Sequence, residues 1–277
     1  MGRDVEICSE TFGKRDDPAI LLIMGAMASM LWWPDEFCRR LAAAGRFVIR
    51  YDNRDTGRST GYEPGTAGYT GDDLAADAVS VLDEHGVERA HVVGMSMGGG
   101  IAQVVALAYP DRVASVTAIS ATAVGEENPD LPGPTGEYME HAAAFENLDW
   151  SDTQAVADLI VEDARQLAGT RHPFDEAGAR ELVTRDLERA IDPARLANHG
   201  ELGDGEPTTR RLDEIAAPLL VIHGTADPLI PYPHGVALAN AVPGATLVTI
   251  EGGGHELHER DWDQMLDAIT RHTEAPA

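Results

Sequence analysis

The chain has 277 residues, of which 43% are hydrophobic, so it is long enough for one large α/β domain with an inserted subdomain. No window of about 18 apolar residues occurs, which argues against a membrane-spanning helix, and the first four residues lack the apolar segment of a secretion signal. The formal net charge of -26 disfavours nucleic acid and anionic membranes as partners. Because the only cysteines are Cys8 and Cys38, we expect a cytoplasmic protein without a disulfide framework. We expect either a monomer or a homodimer.

Strand and helix patterns alternate along the first 120 residues. Apolar runs predict strands at 19–24, 46–51, 90–94 and 113–119, and helical spacing predicts helices at 34–44, 72–85 and 97–109. Residues 121–210 begin with a proline-rich linker and then predict helices near 136–148, 152–168, 175–191 and 193–199. Strands resume at 218–222 and 246–250, with helices at 233–241 and 261–272. This order predicts an α/β fold with a mostly parallel, doubly wound sheet. We expect a core domain at 1–120 and 211–277 and a helical cap (lid) at 121–210, over the sheet edge where such folds bind ligands.

One motif within this pattern carries chemistry. The segment from Gly94 to Gly98 reads G-x-S-x-G, with an apolar strand before it and a helix after it. A serine on such a sharp turn has its hydroxyl pushed out of the sheet, and the glycines leave room for the turn. Ser96 is therefore the candidate nucleophile of a serine hydrolase.

A nucleophilic serine needs a base and an orienting acid, which in this architecture follow later strands in the order Ser, Asp/Glu, His. Asp227 follows the strand at 218–222, and His255 follows the strand at 246–250 after three glycines. We expect His255 to act as general base and Asp227 to hold its tautomer. Glu126 or Asp130 is an alternative acid.

Other polar residues near this motif have simpler interpretations. His258 lies one helical turn after His255, but His-x-x-His without a third ligand is poor evidence for zinc, so we predict no metal. His223 ends its strand and is expected to pack nearby, with a supporting role as the alternative.

An oxyanion hole needs two backbone N–H groups. The amide of Met97 lies at the start of a helix, and the turn at Gly25 directs the amide of Ala26 toward the same point. Losing one such donor typically costs about 100- to 1000-fold in rate.

The residues 51–59, read Y-D-N-R-D-T-G-R-S, match a loop motif of a known family. With the nucleophile motif, they make the chain similar to the α/β-hydrolase superfamily over essentially its full length, and in particular to the aclacinomycin methylesterases, which remove a methyl ester from anthracycline polyketides. We expect the cap to be inserted after the sixth strand of the sheet, the one at 113–119. Asp52 and Arg54 are expected to brace their loop, and Met24 stands where relatives often have histidine.

Apolar residues near the motifs indicate the pocket. The expected substrate-binding residues are Gly25, Met27, Trp32, Trp33, Tyr138, Phe145, Phe174 and Leu257, although most of the apolar ones could equally belong to the core. The sequence thus predicts a cofactor-free serine esterase acting on a small-molecule ester, apolar or polyketide-like. The alternatives are a lactonase, a perhydrolase of the cofactor-free haloperoxidase type, or a binding relative without activity. Aspartate at the nucleophile position would have indicated epoxide hydrolase or haloalkane dehalogenase chemistry.

Overall fold

The computed structural model describes residues 5–125, 130–202 and 211–274, in which seven strands form one sheet. They are β1 (Ser9–Phe12), β2 (Ala19–Ile23), β3 (Phe47–Tyr51), β4 (Ala90–Met95), β5 (Val113–Ile119), β6 (Leu219–Gly224) and β7 (Thr246–Ile250). The strand order is β1-β3-β2-β4-β5-β6-β7, and every pairing is parallel except that of β1 with β3. The predicted parallel, doubly wound sheet is confirmed.

Eight α-helices accompany the sheet in the described residues. They are α1 (Asp35–Ala43), α2 (Gly71–Glu84), α3 (Met97–Ala108), α4 (Gly136–Ala142), α5 (Thr153–Leu167), α6 (Glu176–Arg189), α7 (Pro233–Ala241) and α8 (Trp262–His272). Residues 143–147 and 193–201, expected as α-helix, are 3-10 helix. No helix in the described ranges has the length and apolar character needed to span a membrane.

Alternate residues of each central strand supply two separate cores, because successive side chains of a strand point to opposite faces. Leu21 and Ile23 pack on one face in a cluster that includes residues of α2, α3 and α7. Ile20 and Leu22 pack on the other face with residues of α1 and α8. Helices on both faces bury both sides of the parallel strands, which explains why those strands were recognisable as continuous apolar runs.

The described helices between β5 and β6 have an apolar cluster of their own, formed by Val156, Ala157, Val161, Val183, Leu187 and Leu196. This cluster supports the expected division of the chain, and we propose that 121–210 form a cap on a core made of 1–120 and 211–277. The cap follows β5, which is the fifth strand of the described residues and not the sixth as expected. We use "cap" below for the described residues 130–202.

Candidate active site

The turn after β4 places Ser96 at the sheet's carboxyl edge. Ser96 precedes the first residue of α3 and has φ 54° and ψ -122°, a conformation that costs free energy in a residue with a side chain. A Cβ at Gly98 would lie 2.2 Å from the carbonyl oxygen of Ile23, and one at Gly94 would lie 2.0 Å from that of Gly98. Only glycine fits at these two positions, so the motif is required by the close packing of β4, α3 and β2.

Asp227 and His255 follow neighbouring strands and meet at the same edge. His255 Nδ1 lies 2.8 Å from Asp227 Oδ2, and both side chains are almost fully buried. The backbone N–H groups of Leu229 and Ile230 donate to the other oxygen, Asp227 Oδ1, at 3.0 and 2.8 Å. The carboxylate is therefore fixed, and the Nδ1–H of His255 donates to it, which leaves Nε2 of the ring as the free base. Asp227, and not Asp130, makes this hydrogen bond, while Glu126 lies outside the described residues.

His223 supports this loop. Its Nε2 donates to the carbonyl of Ile230 at 2.7 Å and lies 3.5 Å from Asp227 Oδ2. Burial lowers the pKa of His223, which favours the neutral ring beside Asp227. The supporting role considered as an alternative thus fits its contacts.

The loop after β2 lies against the serine. A Cβ placed on Gly25 would lie 3.2 Å from Ser96 Cβ and 3.8 Å from Ser96 Oγ. The N–H groups of Gly99 and Gly100 donate to the Ser96 carbonyl, whereas that of Met97 belongs to the first turn of α3 and has no carbonyl within the helix to accept it. We call residues 24–28 the candidate oxyanion loop, with Ala26 and Met97 as its predicted donors.

The family model for the α/β hydrolase fold matches residues 18–261. The chain belongs to the α/β-hydrolase family. It is 37% identical over 290 aligned positions to rhodomycin D methylesterase of Streptomyces peucetius, covering 98% of this chain and 96% of that protein, and equally similar to the same enzyme of another Streptomyces strain. A solved esterase from Exiguobacterium antarcticum superposes with a TM-score of 0.78 at 20% identity, covering 98% of this chain and 96% of that one, which shows the shared fold. The expected resemblance to methylesterases is confirmed, and it supports a carboxylic ester hydrolase.

The cap of this α/β hydrolase brings polar side chains to the candidate triad of Ser96, Asp227 and His255, and two of them, His141 and Asp163, were not predicted from the sequence. The N–H of Thr135, just before α4, donates to the carbonyl of Pro228 beside Asp227, and the N–H of His255 donates to the carbonyl of Leu167 at the end of α5. Where α4 meets α5, His141 Nε2 lies 3.1 Å from an oxygen of Asp163, and burial raises the pKa of that carboxyl. No local pattern could reveal this pair, because its members are 22 residues apart.

Tyr138 belongs to the same group. Its ring centroid lies 6.2 Å from that of His141, and burial raises the pKa of the phenol. Asp163 interacts electrostatically with His255, and Tyr138 does so with Asp227. The predicted substrate residue Tyr138 therefore belongs to a group that interacts with Asp227 and His255 of the candidate triad.

The other predicted substrate residues have mixed outcomes. Trp33 is fully buried on the α1 side of the sheet, with its ring centroid 5.6 Å from that of Phe37, and its contact with a substrate stays a prediction. Met27, Trp32 and Phe174 pack partly buried against the cap cluster. The remaining two, Phe145 and Leu257, are half-buried: the former stacks edge-on against His141 and the latter packs against the α1/α8 core.

The loop after β3 is braced as expected. Asp52 accepts from the backbone N–H of Met30 and Arg58 and pairs with Arg189 of the cap at 2.7 Å. Arg54 makes a bidentate ion pair with Asp77 of α2, with nitrogen–oxygen distances of 2.6 and 2.8 Å. These contacts hold the loop beside the candidate oxyanion loop.

His258 is not a partner of His255 in a metal pair. Its ring stacks on His172 at 4.4 Å, and the possible ligand atoms of His172, His258 and Asp261 lie within 4.8 Å of one another. Asp261 thus supplies the third possible ligand that the His-x-x-His pattern lacked. However, Arg171 already pairs with the same oxygen of Asp261 as His172, at 3.2 and 3.0 Å, and His258 Nδ1 accepts from the N–H of Arg260. We interpret this group as an ion-pair cluster.

Proposed function

We propose that this α/β hydrolase cleaves a carboxylic ester, preferably the methyl ester of a bulky apolar or polyketide-like acid, through an acyl-enzyme on Ser96. The observation that carries the proposal is the fixed contact of Asp227 with Nδ1 of His255, on the sheet edge to which Ser96 also belongs. Similarity to two methylesterases over nearly the full chain supports the ester as substrate.

The reaction would proceed in two halves. His255 Nε2 takes the Ser96 Oγ proton as the oxygen attacks the ester carbonyl, and the imidazolium then gives that proton to the departing alkoxide, which leaves as an alcohol. Water attacks the acyl-enzyme with the same base, and the acid product is released. The negative charge that develops on the carbonyl oxygen in both halves would be stabilised by the N–H groups of Ala26 and Met97.

The preference for an apolar acid is supported by the side chains at the junction of cap and core. Met27, Trp32 and Phe174 present apolar surface there, and methionine adapts readily to irregular shapes. The Tyr138, His141 and Asp163 group adds a few polar atoms to this surface, as is typical of small-molecule sites.

The test compares the methyl and ethyl esters of a polycyclic aromatic acid, an aliphatic lactone, and peroxide-dependent halogenation, each with wild type and Ser96→Ala. We expect alcohol release from the methyl ester by wild type alone. Faster turnover of the lactone, or halogenation that needs acetate and peroxide, would instead assign the hydrolase to one of the alternatives.

A further inference from the structure

The candidate oxyanion loop contains a residue in an unfavourable conformation. Met27 has φ 59°, in the left-handed region that is unfavourable for a residue with a side chain. Such a conformation persists only where neighbouring groups hold it. Since Met27 follows Ala26, the group that holds Met27 also fixes the direction of the neighbouring amide.

The cap supplies that group. His199, in the 3-10 helix at 193–201, accepts a hydrogen bond from the backbone N–H of Met27 at its Nδ1, 2.8 Å away. Its Nε2 lies 2.7 Å from the carbonyl oxygen of Arg54, to which it can only donate. The two contacts together define a neutral ring with its proton on Nε2. His199 is 6% exposed, and burial lowers its pKa, which favours this neutral form.

Other contacts hold the ends of the same loop. Asn53 donates to the carbonyl of Met24 at 3.0 Å, and Asp52 accepts from the N–H of Met30 at 2.9 Å. The cap adds Asp186, which accepts from the hydroxyl of Ser29 and from the indole of Trp32. The core therefore fixes the two ends of the loop, and His199 reaches its middle.

We propose that His199 is a positioning residue, which holds the Met27 amide from the cap so that the Ala26 N–H is left facing Ser96. The oxyanion hole is then complete only when the 193–201 segment of the cap is seated on the core. This inference rests on the proposed ester hydrolysis, because it concerns the transition state of that reaction.

Three substitutions separate the two hydrogen bonds of His199. His199→Asn keeps an oxygen at the place of Nδ1, so it can still accept from Met27, but it cannot reach Arg54. His199→Gln places its amide near Nε2 and loses the acceptor for Met27, and His199→Ala loses both. The control is Asn198→Ala, since Asn198 bonds Gly65 and Tyr62 and does not touch the candidate oxyanion loop.

We expect His199→Ala and His199→Gln to lower kcat by about 10- to 100-fold, less than the complete loss of a donor, with KM within about threefold. His199→Asn should retain kcat within about fivefold, and Asn198→Ala should lower the melting temperature without lowering kcat. If His199 had only a structural role, kcat would change by a similar factor in all four variants. Equal losses in the Asn and Gln variants, or an unchanged kcat in the Ala variant, would overturn the proposal.

Two further measurements distinguish failure of the inference about His199 from failure of the proposed ester hydrolysis. The rate at which a serine-directed fluorophosphonate labels Ser96 reports the oxyanion hole without an ester, and it should follow the same order among the variants. The nitrogen chemical shifts of His199 should show an unprotonated Nδ1 in the wild type even if no ester is turned over. A protonated Nδ1 would overturn the inference whatever the substrate.

Discussion

Asp227→Asn is the substitution whose outcome the structure determines most closely. The N–H groups of Leu229 and Ile230 both donate to Oδ1, so the amide oxygen of the variant must take that side. The amide nitrogen then replaces Oδ2, 2.8 Å from His255 Nδ1. Because this nitrogen can only donate, the proton of His255 is forced onto Nε2, and the ring presents a proton to Ser96 where it should present a lone pair.

The magnitude follows from this reversed tautomer. We expect kcat to fall about 10,000-fold, equivalent to about 5.5 kcal/mol of transition-state stabilisation, the size of loss seen when the wrong tautomer is imposed in a serine triad. KM should change little, because the buried Asp227 carboxylate contacts His255 and we do not expect it to contact the substrate.

The assay is steady-state hydrolysis of the methyl ester between pH 6 and 9, with a thermal melt to show that the variant is folded. Asp267→Asn, the same chemical change on the exposed side of α8, is the control and should keep full activity. A folded Asp227→Asn variant that loses less than tenfold would refute the assigned role of Asp227.

Two further predictions concern stability. Asp77→Asn removes the charge that pairs with the buried Arg54 guanidinium and should lower the free energy of unfolding, measured in urea, by about 3–5 kcal/mol. The control is Arg39→Ala, which breaks an exposed ion pair and should cost less than about 1 kcal/mol. Equal losses of stability in the two variants would contradict this prediction. Burial lowers the pKa of His91 from 6.5 to about 4. Its ring stays neutral in the folded state while the unfolded chain takes up a proton, so stability should fall by up to about 3 kcal/mol as the pH drops from 7 to 4. His91→Gln should flatten that fall, and an unchanged slope would contradict the assignment.

The central strands could be predicted from sequence because they are buried on both faces and are mostly apolar. β1 was missed because it is a four-residue edge strand whose first three residues, Ser9, Glu10 and Thr11, are polar, so it contains no apolar run. The serine, aspartate and histidine were recognisable because each follows a strand in a fixed order, so chain position alone places them at one edge.

Contacts between distant segments could not be predicted in the same way. Trp33 was assigned to the pocket because the sequence does not distinguish an apolar residue that contacts a substrate from one that packs in the core. In the structure, Trp33 packs against α1. His199 contacts Met27 across 172 residues, and Asp163 interacts with His255 from a helix whose position on the core the sequence does not specify. The cap's contribution therefore emerges only from the packed structure.

The central claim is that Ser96 is the nucleophile, and the most direct measurement is to identify the residue that a fluorophosphonate modifies. We expect peptide mass spectrometry to find one phosphonyl group on Ser96, with hydrolysis lost in proportion to labelling and both absent in folded Ser96→Ala. Modification elsewhere, or near-normal ester turnover by Ser96→Ala, would contradict the account.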